Sequence, residues 1–599
     1  MASDSTFSDS GGRDRHSSVP RVVPPGASGV FSPQEVHLPE RVLLPDVTSR
    51  VLHGHGVNAS RPRKVLALLS DGRWWSLRDL VRTSGVAHAV TSGLVADLVD
   101  AGELVRERDN GQDRVRLARP EDYAAAGADD LADPVAHLAP GYRRIALELS
   151  RVVSGGPTSD LDLDHVTATA DTALRRALFL ATRFELADST VLCVGDHDLT
   201  SVALALVSPG TRVTVVDIDE RVLAHIDKTT EQLGVQVRTH AADLRLGLPS
   251  TLRGTADVVF TDPPYTPDGV ELFVRRGLEG MSDPRKGRVL LSYGVSEASP
   301  RPAATTQARL LRMELLVEAM WPDFNRYHGA ESIGAASDLY VLRPLSRARP
   351  SSMGDNARVY SQGTNAKEAR GGLDHDRAGA VLRRVDEDLG ESAAGSVPVL
   401  VGSWPREIAS SRTVRLSTWM DSPVTDVVHA VVNLTGGWER LAPRVALAAA
   451  VGTESVYLLV PSSSAWVRDQ TGQEALRTCV EPRFRVRFLR GFGANDLSAI
   501  RLVPRTAPEP TPKAGPTAFA LRLLTHVQER AHGTLTSTLR AGLVETSRLR
   551  GRPINKRTSR HAVAATPRWI LGHNLLDLPG HRFEELPRVA ADLLEQVEE

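Results

Sequence analysis

The stretch Val191-Leu192-Cys193-Val194-Gly195-Asp196-His197-Asp198-Leu199-Thr200-Ser201 constrains the fold of this chain more than any other. Four consecutive apolar residues suit a strand covered on both faces, as in a parallel sheet. Gly195 permits a sharp turn and a close approach of backbone to a ligand. Residues 199–206 then read as a short apolar helix. The same grammar continues downstream, with strands expected at 212–216, 235–239 and 256–261 and a helix at 221–233. Every strand end carries acid: Asp196 and Asp198, Asp217 and Asp219, Asp243, Asp262. Doubly wound sheets bind ligands at the carboxyl ends of their strands, with an acid roughly 20 positions past the glycine turn on the ribose hydroxyls. Asp217 stands 22 positions after Gly195. Helix capping accounts for one Asp per turn, but not for the ordered series.

Further on, a helix is expected at 269–278, a strand at 288–293, a helix at 310–320 and a last strand at 339–342. Six strands with interleaved helices predict an α/β, class I methyltransferase-like (Rossmann-like) domain over residues 150–344. Ahead of it, residues 61–118 read as three helices and a hairpin. Val65, Leu66, Leu68 and Leu69 form one apolar face, Ser76 caps a second helix, and Val90, Leu94, Val95 and Leu98 recur at helical spacing. Asp109-Asn110-Gly111 is a hairpin turn signal. The arrangement resembles a winged helix-turn-helix. Its third helix, residues 87–97, holds no Lys or Arg. DNA is therefore not favoured as a partner, since groove reading needs phosphate and base donors. A structural or dimerising role, and so a homodimer, fits better.

At 599 residues the chain exceeds one core, and three or four domains are expected. Residues 1–40, rich in Ser, Gly and Pro, predict a disordered tail, and 41–60 a short leading helix. A linker is expected at 345–376, a second α/β domain at 377–505 and a helical region at 517–599. The second domain shows no glycine turn, acidic strand ends or metal-ligand spacing, and neither a metal nor a permanently bound cofactor is expected. A formal charge of −1 argues against bulk polyanion binding. Two cysteines fit a reducing cytoplasm, and no signal peptide or bilayer-spanning run is expected, so no membrane partner either.

The sheet pattern implies a sulfonium nucleoside, either S-adenosylmethionine or its decarboxylated form. Gly195 and Asp196 would make the turn, Asp217 with Asp219 the ribose contact, and Asp243 the adenine contact. Asp262-Pro263-Pro264-Tyr265 admits two readings. In amino-directed DNA methyltransferases such a motif holds an exocyclic amine and stacks on the flipped base. Alternatively, the carboxylates serve a substrate with several ammonium groups. Asp160, Asp162 and Asp164 alternate, which places them on one side of an extended segment, and Asp196, Asp198 and Asp262 add to them. Such a wall repels a polyanion and attracts a polyamine. An S-adenosylmethionine-dependent amino-methyltransferase and a non-catalytic, DNA-binding polyamine sensor are the alternatives.

These motifs together resemble the branched-chain polyamine synthase family, the N4-bis(aminopropyl)spermidine synthases, over residues 61–344. Its Gly-Asp-Asp-Asp-Leu-Thr-Ser turn is matched at 195–201, its Asp-Ile-Asp-Glu-Arg at 217–221, and its Asp-Leu-Arg at 243–245. Its Asp-Phe-Asp-Gln is matched at 162–165, and its Asn-Phe-Asn-Glu-Tyr at 323–327. The resemblance implies a winged helix before a Rossmann-like catalytic domain. It also implies aminopropyl transfer from decarboxylated S-adenosylmethionine, as co-substrate, to spermidine or a related polyamine, releasing methylthioadenosine. Asp262 and Asp198 would then be catalytic, with Asp162, Asp164, His197, Pro263, Pro264, Tyr265 and Asn325 on the acceptor. The chain departs from the family at His165, His197, Asp323 and Arg326. His197 lies between two acids, which favours its protonated form.

Overall fold

The computed structural model describes residues 44–109, 111–124, 126, 133–296, 299–345, 373–390, 397–408, 412–505 and 510–597. The expected tail 1–40 and most of the expected linker 345–376 lie outside the described residues. Among those described, no helix is long and apolar enough to cross a membrane.

The N-terminal unit comprises helices α1 (Asp46–Gly54), α2 (Ser60–Leu69), α3 (Leu77–Ser84) and α4 (His88–Asp100). With them come strands β1 (Trp75–Ser76), β2 (Leu104–Asp109) and β3 (Gln112–Leu117), in an antiparallel sheet of order β1-β3-β2. Ser76 accepts from the Asp79 amide and starts α3. Leu66, Leu69, Leu80, Leu94, Leu98 and Tyr123 close its core.

The central unit opens with α5 (Arg143–Ser154) and α6 (Ala170–Arg183). Then follow β4 (Thr190–Val194), α7 (Thr200–Val207), β5 (Arg212–Asp217), α8 (Glu220–Leu233), β6 (Val237–Ala241) and β7 (Val258–Thr261). It ends with α9 (Pro267–Gly280), β8 (Arg288–Tyr293), α10 (Arg301–Arg312), β9 (Leu315–Arg326) and β10 (Ala336–Pro344). The seven strands lie in the order β6-β5-β4-β7-β8-β10-β9. β6 to β8 are parallel, and β10 runs antiparallel to both β8 and β9. The order reverses between β4 and β7, which opens a crevice at their carboxyl ends. The expected helix at 310–320 holds only in its first residues, the end of α10 at Arg312. Residues from Leu315 pair with β10 as an edge strand, and cross-strand pairing overrides the helix propensity of Leu, Glu, Ala and Met.

A third unit begins with the helix His375–Leu389 and a six-stranded sheet. Its strands are β11 (Val399–Val401), β12 (Thr413–Val414), β13 (His429–Asn433), β14 (Ser455–Pro461), β15 (Phe484–Arg490) and β16 (Leu497–Pro504). The order is β12-β11-β13-β14-β16-β15, with β16 antiparallel to both of its neighbours. Gly402, with φ of 92°, follows β11, a glycine turn that the sequence pattern did not flag. Helices Pro516–Glu529, Leu535–Leu549 and Leu586–Gln596 share one apolar core with this sheet, from Val399 to Leu594.

The three units touch through specific contacts. Arg61 pairs with Asp323 at 2.5 Å, Arg82 with Glu331, and Arg82 also donates to the His328 carbonyl. On the opposite side, the tail segment after Leu571 packs on α8 and β6. Arg444 and the Gly580 amide hold Glu220, and His581 and Arg582 hold Asp227. His240 of β6 meets His573 and Asp577 there, so residues of metal-ligand type gather where no sequence spacing predicts them.

The N-terminal contact gives a direct check. Gly334 sits at φ 83°, and a Cβ there would collide with the Gly85 carbonyl. Gly334→Ala should therefore destabilise the protein by about 1–3 kcal/mol through left-handed strain and this collision. A drop of several degrees in the thermal midpoint is expected, whereas Gly54→Ala, in open space, should leave it unchanged.

Candidate functional site

The site grows from the end of β4. Val191 to Val194 are fully buried, so the chain emerges from the sheet at a fixed point. Gly195 turns there with φ of 72°, its amide bonded to the Val216 carbonyl at 2.9 Å. The Asp196 amide donates to Asp217 Oδ2 at 2.9 Å, and the Asp219 amide to Asp217 Oδ1 at 2.8 Å. Asp217 thus ties the glycine turn to the next strand end and still has one lone pair per oxygen for a ligand. The Asp196 carboxylate accepts from the Ser201 amide at 3.1 Å, at the start of α7.

A cavity of about 390 Å³ opens over these strand ends. Of the expected site residues, Gly195, Asp196, His197, Asp198, Asp217, Asp243, Asp262, Pro263, Pro264, Tyr265 and Asp164 line it. Three expected residues do not. Asp219 is the N-cap of α8, held by Arg221 at 2.6 Å. Asp162 belongs to a single 3-10 turn, Leu161–Leu163, capped by Asp160, so the three acids do not share one side of an extended segment. Asp160 instead faces Arg440 and Arg221 at 3.8 and 3.9 Å. Asn325 is fully buried beneath the cavity, where its Oδ1 accepts from Arg176 Nε at 2.8 Å. Of the departures from the family pattern, Asp323 pairs with Arg61 at the N-terminal contact, outside the cavity wall.

Arg176 is the residue that sequence reasoning missed. It is fully buried on α6, among Leu174, Ala177, Leu178 and Leu180. Nη1 donates to Asp198 Oδ2 at 2.8 Å and to Thr200 Oγ1 at 3.3 Å. Nη2 donates to Asp262 Oδ2 at 2.5 Å and to the Tyr327 hydroxyl at 3.1 Å. An arginine on the apolar face of a helix was the available signal. Tyr327, from the segment after β9, was the second omission. Its hydroxyl donates to Asp262 Oδ2 at 2.8 Å, and the Tyr265 hydroxyl donates to Oδ1 at 3.0 Å.

This packing sets the charges. Burial pushes Asp262 up to about 7, against the pull of Arg176 and with the help of Asp198. Burial also works on Asp198, but Arg176 and the hydrogen bonds to it hold that carboxyl below its usual range. Burial, opposed by the Ser201 hydrogen bonds and aided by Asp198 and Asp217, raises Asp196 to about 8. Burial and then Asp262 raise both tyrosine hydroxyls, which stay protonated. The expectation for His197 is reversed. Burial lowers its pKa, and His165, stacked on it at 4.4 Å, adds to this, outweighing the neighbouring acids. Its Nε2 lies 3.0 Å from Thr167 Oγ1, a contact open to the neutral ring. Asp243 is held by Arg245 through both carboxylate oxygens, and Arg245 stacks on Trp438 of the third unit at 4.0 Å.

Residues 145–349 match the model of the branched-chain polyamine synthase A C-terminal domain. An uncharacterized protein of Methanocaldococcus jannaschii is 36% identical over 208 residues, 34% of this chain and 51% of that protein. An N(4)-bis(aminopropyl)spermidine synthase of Thermococcus kodakarensis is 32% identical over 144 residues, 24% of this chain and 41% of that one. The chain thus spans about half or less of these relatives' length. Among solved structures, the branched-chain polyamine synthase from Thermus thermophilus, in complex with N4-aminopropylspermidine and 5'-methylthioadenosine, is 21% identical. Its TM-score is 0.39, over 53% of this chain and 97% of that one.

Arg176→Gln leaves two buried carboxylates without their cation. The expected loss is about 3–5 kcal/mol, the usual result of removing one partner from a buried ionic cluster. Chemical denaturation should show it directly, while Arg183→Gln, at an exposed pair with Glu318, should cost under about 1 kcal/mol.

Proposed function

We propose, from the match of residues 145–349 to the branched-chain polyamine synthase A C-terminal domain, that this chain is an aminopropyltransferase. It takes the aminopropyl group of decarboxylated S-adenosylmethionine and places it on a nitrogen of spermidine or a related polyamine. The relatives named N(4)-bis(aminopropyl)spermidine synthase support this reading. One observation carries it in this chain. Asp164, Asp196, Asp198, Asp217, Asp243 and Asp262 line the cavity, with Arg176 against Asp198 and Asp262 and Arg245 against Asp243. Such a surplus of carboxyls suits a polycationic acceptor and repels nucleic acid.

In this mechanism the acceptor amine attacks the aminopropyl carbon attached to sulfur. The C–N bond forms, the C–S bond breaks, and sulfur keeps the electron pair in methylthioadenosine. The new ammonium releases one proton to Asp262. Asp262 Oδ2 accepts from Arg176 and Tyr327 and Oδ1 from Tyr265, and the carboxyl also meets Asp198, to which its protonated form donates. The amine N–H would take a remaining lone pair of Oδ1. With a pKa of about 7, Asp262 is matched to this proton at neutral pH. Gly195, Asp196, Asp217 and Asp243 would hold the nucleoside, with Asp219 bracing the turn. Asp198, Asp164, His197, Pro263, Pro264 and Tyr265 would face the acceptor, with Asn325 positioning Arg176.

The class I methyltransferase-like description of the central unit belongs to the same proposal, supported by its doubly wound sheet. We read residues 61–118 as a winged helix-turn-helix that braces the enzyme. Three helices followed by the β2–β3 hairpin support the reading, as do the contacts of Arg61 and Arg82 with the central unit. The free cysteines suit a reducing cytoplasm.

Purified full-length protein given decarboxylated S-adenosylmethionine and spermidine should yield methylthioadenosine and an acceptor heavier by one aminopropyl group. Transfer of methyl from S-adenosylmethionine alone would overturn the proposal. Asp262→Asn should lower turnover by about 10²-fold or more, with nucleoside affinity nearly unchanged. In the parent protein kcat/KM should fall as pH drops through about 7, because Asp262 takes up its proton there. A pH series should show this limb, and Asp262→Asn should lack it.

A further inference from the structure

β6 is the outer strand of the central sheet, and its last residues carry an unusual burden. His240 is fully buried, and both of its ring nitrogens lack a hydrogen-bond partner. Burying two polar atoms without partners is unfavourable, and such atoms are rare in folded proteins. His573 of the tail lies face to face with it, ring centroids 4.0 Å apart and planes inclined by 21°. His573 Nε2 is 2.8 Å from the Thr239 carbonyl. A carbonyl only accepts, so Nε2 carries the proton and Nδ1, buried and without a partner, presents a lone pair. Asp577 completes the group, with Oδ2 at 3.5 Å from His240 Nδ1.

The three side chains are all buried, and one donor atom from each lies within 4.8 Å of the others. We propose that His240, His573 and Asp577 bind a divalent cation of the zinc class, which staples the C-terminal tail to the edge of the catalytic sheet. Two imidazoles and one carboxylate are a ligand set that zinc accepts, with water or a carbonyl in a fourth position. Donors around tetrahedral zinc lie about 3.4 Å apart, from bond lengths of about 2.1 Å. Closing the site therefore requires the donors to approach and the two stacked rings to turn toward a common point.

The surroundings fit. A ligating histidine ordinarily donates its other nitrogen to a carbonyl or carboxylate, which fixes the tautomer, and His573 does so. The carboxylate is oriented in the same way, since Asp577 Oδ1 accepts from the Asn574 amide at 3.1 Å and Thr251 Oγ1 donates to Oδ2. Asn574 Oδ1 in turn accepts from the Leu576 and Asp577 amides, each at 2.9 Å, which makes the loop rigid. Of the charges that reach His240, Arg238 opposes a cation, whereas Asp227 and Asp577 favour one. The staple would act on a strand already bonded to the tail, the Ala241 amide donating to the Asp577 carbonyl at 2.8 Å. Asp243 of the nucleoside cavity lies three positions beyond His240.

The site is independent of the aminopropyl reading, and metal content tests it without an activity assay. Full-length protein is stripped with a chelator, titrated with zinc sulfate against a chromophoric competitor, and dialysed for elemental analysis. About one tightly held zinc per chain is expected, with a rise of several degrees in the thermal midpoint. His240→Asn and Asp577→Asn should each weaken zinc binding by at least about 100-fold. Cobalt substitution of the parent protein should give the visible bands of a four-coordinate nitrogen and oxygen site. If the parent protein holds no zinc at micromolar free metal and its midpoint does not respond, the proposal fails. It fails equally if both variants fold and retain the parent's stoichiometry and affinity, because the ion then sits elsewhere. If neither variant folds, the parent titration and the cobalt spectrum decide.

Discussion

The buried guanidinium of Arg176 is the contact on which the site depends. Asp198 and Asp262 stand at the ends of neighbouring strands β4 and β7, where doubly wound sheets take their ligands, Asp198 buried and Asp262 nearly so. Two bare carboxylates so placed would each carry a desolvation penalty of several kcal/mol. Arg176 reaches both from α6, and Asn325, Thr200 and Tyr327 satisfy its remaining donors. The planar fork suits this task better than an ammonium group, because it serves several acceptors at fixed angles. Tyr327 then joins the cluster to the segment between β9 and β10, so cavity floor and wall form one bonded unit.

The far edge of the sheet is managed differently. An exposed parallel edge strand invites pairing with other chains. Here β6 is covered by the segment from His573 to Asp577, which belongs to the same core as the third unit. Glu220 and Asp227 on α8 receive Arg444, His581 and Arg582 from that side. Arg245, sandwiched between Asp243 and Trp438, carries the contact to the cavity wall itself. Under the proposed reading, the third unit therefore supports a residue of the nucleoside site.

The strands and acids of the crevice were legible because their signals are local: apolar runs, Gly195, and an Asp at each strand end. What stayed hidden depends on distant partners. Residues 315–320 carry good helix formers, and only their pairing with β10 makes them a strand. The alternation at 160–164 suggested an extended segment, but the Asp160 carboxylate accepts from the Asp162 amide and turns the chain. Arg176 could be seen as a charge on an apolar face, yet Asp198, Asp262 and Asn325 lie 22, 86 and 149 positions away. His197 was misread because flanking acids were weighed without burial or the ring of His165, neither of which a sequence displays.

A count of six carboxyls overstates the charge of the cavity. Asp196 and Asp262 are raised to about 8 and about 7, so at neutral pH each is protonated for a substantial part of the time. Arg176 and Arg245 offset two more. Under the proposed reading this resolves a conflict between stability and binding. A fully ionised ring of buried acids would repel itself and destabilise the unliganded fold. An entering polyammonium chain favours the ionised form of each acid that it approaches, which lowers their pKa values and expels protons. The negative charge that recognises the acceptor is thus completed by the acceptor itself. Asp262 then becomes an anion beside the amine that must lose a proton, so substrate binding prepares the base at the moment it is needed.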